Sequence, residues 1–353
     1  MALVMSRAID DRFKGAKREM IAPLSLATID RVRDALPRFA HPPMAHLMRL
    51  RVEERLNYWL DQIRQSLSDE SVLAFGSVDS AGDLDGLLVY NDSPWESRIV
   101  GQRVGNIKHL AVAPGGVAGA RIARALIGEL MPALAKRRMK CVACRLPSDD
   151  LPAIHALEHC GFLLMDTLLD FACDLSQFHP QKSVAPIRNE LLNIRRATPT
   201  DMPALMAISE RAFAGYFGRY HADPHVAPDA ATKIYSEWIR SAFAGWADWV
   251  LVAEWDGKAA GYSVWRKVLR NPHNPHEPRR GVCFCDLLVV DPEFQGRQLG
   301  TALMWEGMHI ARDFAQYGVG PVHVCNQGVQ RTLQRVGWKI SGARHCFHKW
   351  LNP

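Results

Sequence analysis

The chain has 353 residues, 48% of them hydrophobic and 23% charged, which favours two globular domains and excludes disordered or collagen-like classes. Its formal net charge of +6 is mild and spread along the sequence. It suits a small anionic ligand, and no basic tract, zinc-finger spacing or aromatic-basic signature points to nucleic acid.

No apolar run approaches the roughly 18 residues that span a bilayer, and Arg7, Asp10, Asp11 and Arg12 end the apolar start before a signal-peptide core forms. The eight cysteines stand mostly in apolar, strand-like runs (Cys141, Cys144, Cys283, Cys285, Cys325), as buried reduced thiols of a cytoplasmic protein do. Cys141 and Cys144 have C-x-x-C spacing, but on a strand that odd separation sends the side chains to opposite faces. No metal centre, membrane or nucleic-acid partner is expected.

In chain order, the pattern predicts strands at 71–78 and 83–91 forming an antiparallel pair, and a third at 105–113. A helix follows at 118–136, a strand at 140–146, a helix at 150–160 and strands across 161–175. Polar, proline-containing residues after Ser176 read as a linker. Thr200 and Asp201 then frame a helix over 201–213, and Asp229 begins another near 230–243. The plan of the first half returns as strands 249–255, 259–267 and 282–290, helix 297–317, strand 321–326, helix 328–336 and strands across 338–350.

Three marks recur at nearly constant distance: Gly86 and Gly261 (175 apart), Pro114 and Pro292 (178), Gly161-Phe162 and Gly337-Trp338 (176). An offset this long implies two copies of one domain, at residues 1–180 and 193–353 with a linker at 181–192. Each copy is α/β, a mixed sheet with helices packed against it.

The most informative stretch runs from Asp286 to Met304. An apolar strand ends at Pro292, passes through a glycine-containing loop and opens directly into a helix. Such a junction presents backbone N–H groups without intrahelical partners and the positive end of the helix dipole, a site for a pyrophosphate. The string Gln295-Gly-Arg-Gln-Leu-Gly300 resembles the Q/R-x-x-G-x-G/A signature of the GCN5-related N-acetyltransferases (GNAT family), with Gln298 where that family usually has glycine. Asn326 and Val336-Gly337-Trp338 add to the resemblance. Pro94-Trp-Glu-Ser-Arg-Ile-Val-Gly101 and Asp166-Thr167 are similar to stretches of the dTDP-fucosamine acetyltransferase group.

The resemblance implies tandem GNAT acyl-CoA N-acyltransferase domains and acetyl-coenzyme A as co-substrate, without a metal. It places the pyrophosphate on Gln295, Gly296, Arg297, Gln298, Leu299, Gly300 and Thr301, and the acetyl group and pantetheine arm against Leu288, Val289, Val290 and Asn326. Asn326 is equally well a helix N-cap. In the first copy Ala118 and Arg121 replace signature residues, so that copy reads as structural or substrate-shaping.

Acetyl transfer to a primary amine needs the ammonium to lose a proton. Asp286, on the strand feeding the loop, is the best candidate base; the alternative is a hydrogen-bonded structural carboxylate. Glu254 is a weaker candidate. The family's general-acid tyrosine falls at Leu333, which cannot donate; Tyr262 or a water is conceivable. His345 and His348 are on opposite strand faces, and His273 and His276 mark a substrate-side loop. The expected function is acetyl transfer from acetyl-CoA to a small-molecule amine, with an aminosugar nucleotide first among acceptors. The alternative is a non-catalytic CoA-binding or protein-interaction module.

Overall fold

The apolar runs of both halves become strands, and the strands join a single mixed sheet. The computed structural model describes residues 20–178, 189–269 and 281–351. The first half contributes β1 (Met20–Pro23), β2 (Leu73–Val78), β3 (Leu84–Asp92), β4 (Val104–Val112), β5 (Cys141–Pro147) and β6 (Leu163–Asp174). The second contributes β7 (Leu192–Arg196), β8 (Trp249–Trp255), β9 (Lys258–Leu269), β10 (Val282–Val290), β11 (Tyr317–His323) and β12 (Lys339–Trp350). Packed on them are α1 (Ile29–Ala35), α2 (Val52–Leu67), α3 (Pro94–Val100), α4 (Gly116–Lys136), α5 (Leu151–His159), α6 (Met202–Phe213), α7 (Arg219–Ala222), α8 (Pro228–Ser241), α9 (Leu299–Ala311) and α10 (Gln327–Arg335). No described helix is long and apolar enough to cross a membrane.

The strand order is β1-β2-β3-β4-β5-β12-β6-β11-β10-β9-β8-β7. The last strand of each half is therefore exchanged. β12 pairs with β5, from Trp350 beside Cys141 to Arg344 beside Pro147, while β6 pairs with β11, from Asp174 beside Tyr317 to Leu168 beside His323. The two exchanged strands pair with each other at the centre. Their side chains follow: Phe171 and Leu175 pack among Trp265, Met308 and Trp338 of the second half, and Phe347 packs with Leu126, Val142 and Leu157 of the first. Burying one such side chain contributes about 1.5–3 kcal/mol, so each half is stabilised by residues of the other. The proposed 181–192 linker lies outside the described residues except at 189–192, where Leu192 already begins β7.

Two parallel contacts position the site. β4 and β5 pair only from Val104/Cys141 to Ile107/Cys144, and β10 and β11 only from Val282/Tyr317 to Phe284/Val319. Beyond those residues each pair splays. At the start of each splay one residue is bulged out of register against the antiparallel neighbour, Lys108 in β4 and Asp286 in β10. The two are 178 residues apart, the offset of the two prolines.

Some boundaries differ from expectation. The helix expected to reach 317 ends at Ala311, and the strand expected at 321–326 begins at Tyr317. Gly318 and Gly320 look like turn residues in the sequence. In the sheet they are close-approach positions: a Cβ would fall 3.0 Å from the Trp338 ring at Gly318 and 2.9 Å from the Cys285 carbonyl at Gly320. Cys325 consequently sits in the turn after β11 and is exposed, not buried in a strand. The segments 163–174 and 339–350 are single bulged strands.

Candidate active site

Between Pro292 and α9 the chain makes a 3-10 turn and then a loop. Asp291, 2% exposed, fixes the turn: its Oδ1 accepts from the Glu293 N–H at 3.2 Å, and its Oδ2 accepts from Arg211 of α6 at 2.5 and 3.1 Å. Gly296 and Gln298 both take left-handed backbone conformations (φ 80° and 60°). Gln298 thus occupies the conformation glycine adopts freely, at a cost of roughly 1–2 kcal/mol for a residue with a Cβ. Arg297 turns its guanidinium back over Trp255 at 5.0 Å and Phe294 at 5.4 Å. Of the expected phosphate donors, Gln295 is the exception, since its N–H donates to the Pro292 carbonyl at 3.4 Å. The N–H groups of Gly296 through Thr301 make no hydrogen bond to a described residue, and the first helical bond runs from Ala302 to the Gln298 carbonyl.

The first half lacks this loop. Its helix α4 starts at Gly116, two residues after Pro114, whereas α9 starts seven residues after Pro292. Ala118 and Arg121, matched to signature positions in the sequence, therefore lie inside α4. A cavity of about 540 Å³ does lie there, but Asp149 and Asp150 are part of its lining.

A larger cavity, about 620 Å³, opens at the centre of the molecule where both strand pairs splay. Ile107, Lys108, Cys144 and Arg145 line it from the first half; Asp286, Leu287, Leu288, Gly320, Val322, His323 and Asn326 line it from the second; Asp166 and Arg344 come from the exchanged strands. Across its wall runs a charged network. Glu96 of α3 accepts from Arg219 at 2.6 Å, from the Tyr220 hydroxyl at 2.5 Å and from Asn106 at 3.0 Å. Burial pushes the Glu96 carboxyl up, but the Arg219 charge and these bonds outweigh it and hold the group down, to about 2. The Arg219 backbone N–H donates to Asp166 Oδ2 at 2.8 Å.

The pattern of the Acetyltransferase (GNAT) family matches residues 210–338. Over 269 residues, 76% of this chain and 84% of the relative, the sequence is 26% identical to the spore coat polysaccharide biosynthesis protein SpsD of Bacillus subtilis (strain 168). Over 107 residues, 30% of this chain and 42% of the relative, it is 29% identical to dTDP-fucosamine acetyltransferase of Escherichia coli O6:H1. Among solved structures, a tandem GNAT protein from the clavulanic acid biosynthesis pathway superposes with a TM-score of 0.59 at 15% identity, over 95% of this chain and 99% of that one.

Residues 210–338 carry the pattern of a GNAT acetyltransferase domain.

The residues of the site and those singled out from sequence fall into three groups. Leu288 and Asn326 line the central cavity, with Val289 and Val290 beside them on β10. Asn326 caps α10, its Oδ1 accepting from the Val329 N–H at 3.2 Å, and its side chain also hydrogen-bonds Tyr216. Asp286 also lines the cavity, and both its oxygens accept from Arg266, at 2.6 and 2.8 Å. Asp286 is thereby one half of an ion pair between β9 and β10.

A second group lies elsewhere. Glu254 accepts from Arg195 and Asn193 at the β7–β8 edge. Tyr262 is fully buried and shares a 2.6 Å hydrogen bond with Ser209 on the α6 side of the sheet, so it cannot reach the cavity as an acid. His345 bonds Thr167 at 2.9 Å. His273 and His276 lie outside the described residues.

The third group was missed. His323 ends β11 on the cavity wall, 7% exposed. Its Nδ1 accepts from the Cys325 N–H at 3.1 Å, and burial lowers its pKa. At neutral pH it is therefore an uncharged imidazole carrying its proton on Nε2. The Glu96, Arg219 and Asp166 network was missed because its members are far apart in sequence.

One further cluster brings side chains of metal-ligating type together. Cys141 Sγ, an Asp223 oxygen and a His348 nitrogen lie within 4.8 Å of one another. Asp223 Oδ2 already accepts from His348 Nδ1 at 2.6 Å and Trp350 Nε1 at 2.8 Å, and Oδ1 accepts from the His225 N–H at 2.9 Å. Its lone pairs serve a clamp between β12 and the segment before α8.

Proposed function

We propose that this cytoplasmic enzyme transfers the acetyl group of acetyl-coenzyme A to a primary amine of a small metabolite, with an aminosugar nucleotide as the first acceptor to test. The observation that carries the reading is the row of unpartnered N–H groups from Gly296 to Thr301, on the helix that follows the splayed strand lining the central cavity. A pyrophosphate there meets oriented dipoles at a helix N-terminus. The pantetheine arm lies along Leu288, Val289 and Val290, and the Asn326 amide donates to it. The acceptor preference is supported by the names of the two sequence relatives, one a dTDP-fucosamine acetyltransferase and the other a spore coat polysaccharide biosynthesis protein.

The amine nitrogen attacks the thioester carbonyl, an N–C bond forms, the C–S bond breaks and coenzyme A leaves as thiolate. An alkyl ammonium of pKa about 10.4 is only about one part in a thousand neutral at pH 7, so the proton must be taken. Asp286 accepts it through the lone pair that each oxygen retains beside Arg266. The Nε2–H of His323 donates a hydrogen bond to the departing sulfur, which leaves as the thiolate and takes its proton from solvent. Holding both reactants in one cavity supplies the remainder of the rate.

Calorimetric titration with acetyl-CoA, coupled to an assay of thiol release in the presence of amines, tests this. One site per chain, lost in Gly300→Glu, is expected. No binding by the unaltered protein overturns it.

A further inference from the structure

The central cavity has more cationic than acidic side chains in its lining. Its acidic side chains already have cationic or amide partners: Asp286 with Arg266, and Glu96 with Arg219. Asp166 accepts the Arg219 N–H on one oxygen and keeps the other, buried, without a partner. Arg344 is committed to Asp170, at 2.5 and 2.8 Å. Two cations remain. Neither Lys108 nor Arg145 makes a hydrogen bond or an ion pair with a described residue, and both line the cavity. They follow directly on Ile107 and Cys144, the last paired residues of β4 and β5, so they face each other across the splay of the first half. Desolvation and the nearby Arg219 and Arg145 charges lower the Lys108 pKa against the pull of Glu96.

Two cations beside each other, neither closed into an ion pair, repel unless an anion joins them. Arg145 also shares a row with Asp166. Both pair with Cys346 of β12, and strands are about 4.8 Å apart, so the two positions stand roughly 10 Å from each other on one face. A carboxylate oxygen in want of a donor and a pair of cations in want of an anion, separated by about the length of a substituted sugar ring, make complementary demands on one ligand.

We infer that Lys108 and Arg145 form an anion site for the acceptor, so that the preferred amine substrate carries a phosphate group. This rests on the acetyl-transfer reading above. It gives the first half its work: at the bulge where the second half has Asp286, the first half has Lys108, and its splay holds the acceptor's phosphate while the other receives the thioester.

The test compares glucosamine, glucosamine 6-phosphate and uridine-diphosphate glucosamine as acceptors, reading thiol release from acetyl-CoA. The unaltered enzyme is expected to favour a phosphorylated acceptor over glucosamine by at least tenfold in kcat/KM. A larger preference for the 6-phosphate indicates a terminal phosphate; a larger one for the nucleotide sugar indicates a bridging diphosphate. In the Lys108→Met, Arg145→Met double variant the ratio between phosphorylated and plain acceptor is expected to fall towards one, and Arg145→Lys is expected to retain most of it. Equal kcat/KM for all three acceptors, or a ratio untouched in the double variant, overturns the anion site while leaving acetyl transfer intact. If no amine releases thiol, the acetyl-transfer reading falls by itself, and calorimetry with glucosamine 6-phosphate decides the site. Binding lost in the double variant at unchanged melting temperature supports it; absent or unaltered binding overturns it.

Discussion

The two helices α4 and α9 occupy equivalent places in the two halves, yet their N-termini differ in kind. α9 is preceded by a loop with two left-handed residues and a row of free N–H groups. α4 follows Pro114 almost at once, and Gly119 in its first turn is pressed against the chain: a Cβ there would sit 2.1 Å from the Pro114 carbonyl oxygen. Gly300, in the first turn of α9, meets nothing nearer than 3.4 Å. One glycine is required by packing and the other is not, so similar letters in a duplicated sequence carry different constraints.

The comparison is sharpened first at the network that joins the halves. Glu96→Gln removes the charge opposite buried Arg219 and is expected to cost about 3–5 kcal/mol in denaturant unfolding. The Glu96 carboxyl is held below its unfolded value of 4.5, at about 2. Its contribution is therefore full above the unfolded pKa and lost as pH falls towards 2. A variant whose stability keeps the same acid dependence as the parent breaks the assignment.

The second test sets the bulge residues apart. Asp286→Asn is expected to lower turnover roughly 100-fold near pH 7 and less at high pH, where the amine is already neutral. A uniform loss across pH assigns Asp286 to holding Arg266 and the bulge.

The glycines follow. Gly119→Ala is expected to destabilise by about 1–3 kcal/mol through overpacking. Gly300→Ala is expected to stabilise the unliganded protein by about 0.5–1 kcal/mol, the helix preference for alanine, while weakening acetyl-CoA binding in calorimetry. Equal effects of both on stability would erase the distinction. The smallest change is at Gln298: Gln298→Gly relieves the left-handed strain and is expected to raise stability by about 1 kcal/mol, and a loss instead would show that the side chain packs usefully.

Much of the fold was legible because strands β8, β9 and β10 announce themselves by long β-branched and aromatic runs, and the helix expected over 201–213, found at Met202–Phe213, by Thr200 and Asp201 at its start. The helix α2 was not expected, although Leu56, Trp59, Leu60, Ile63 and Leu67 carry the helical spacing. The exchange of β6 and β12 left no trace in the sequence, since a strand's alternation is the same whichever neighbour it pairs with. The phosphate loop was readable because it is contiguous. Arg219, Glu96, Lys108 and Arg145 were not, because only the folded sheet brings together residues that stand up to 123 positions apart.

The exchange has a consequence for how the chain is made. The first half's β5 pairs with β4 on one side and finds its other neighbour only in β12, about 200 residues later, a separation that takes roughly 10–40 s to synthesise at 5–20 residues per second. Until then Cys144, Leu146 and their neighbours present an open strand edge to the cell. The N-terminal half, first off the ribosome, is therefore among the last parts to finish folding, and the cavity it shares closes when residue 350 arrives.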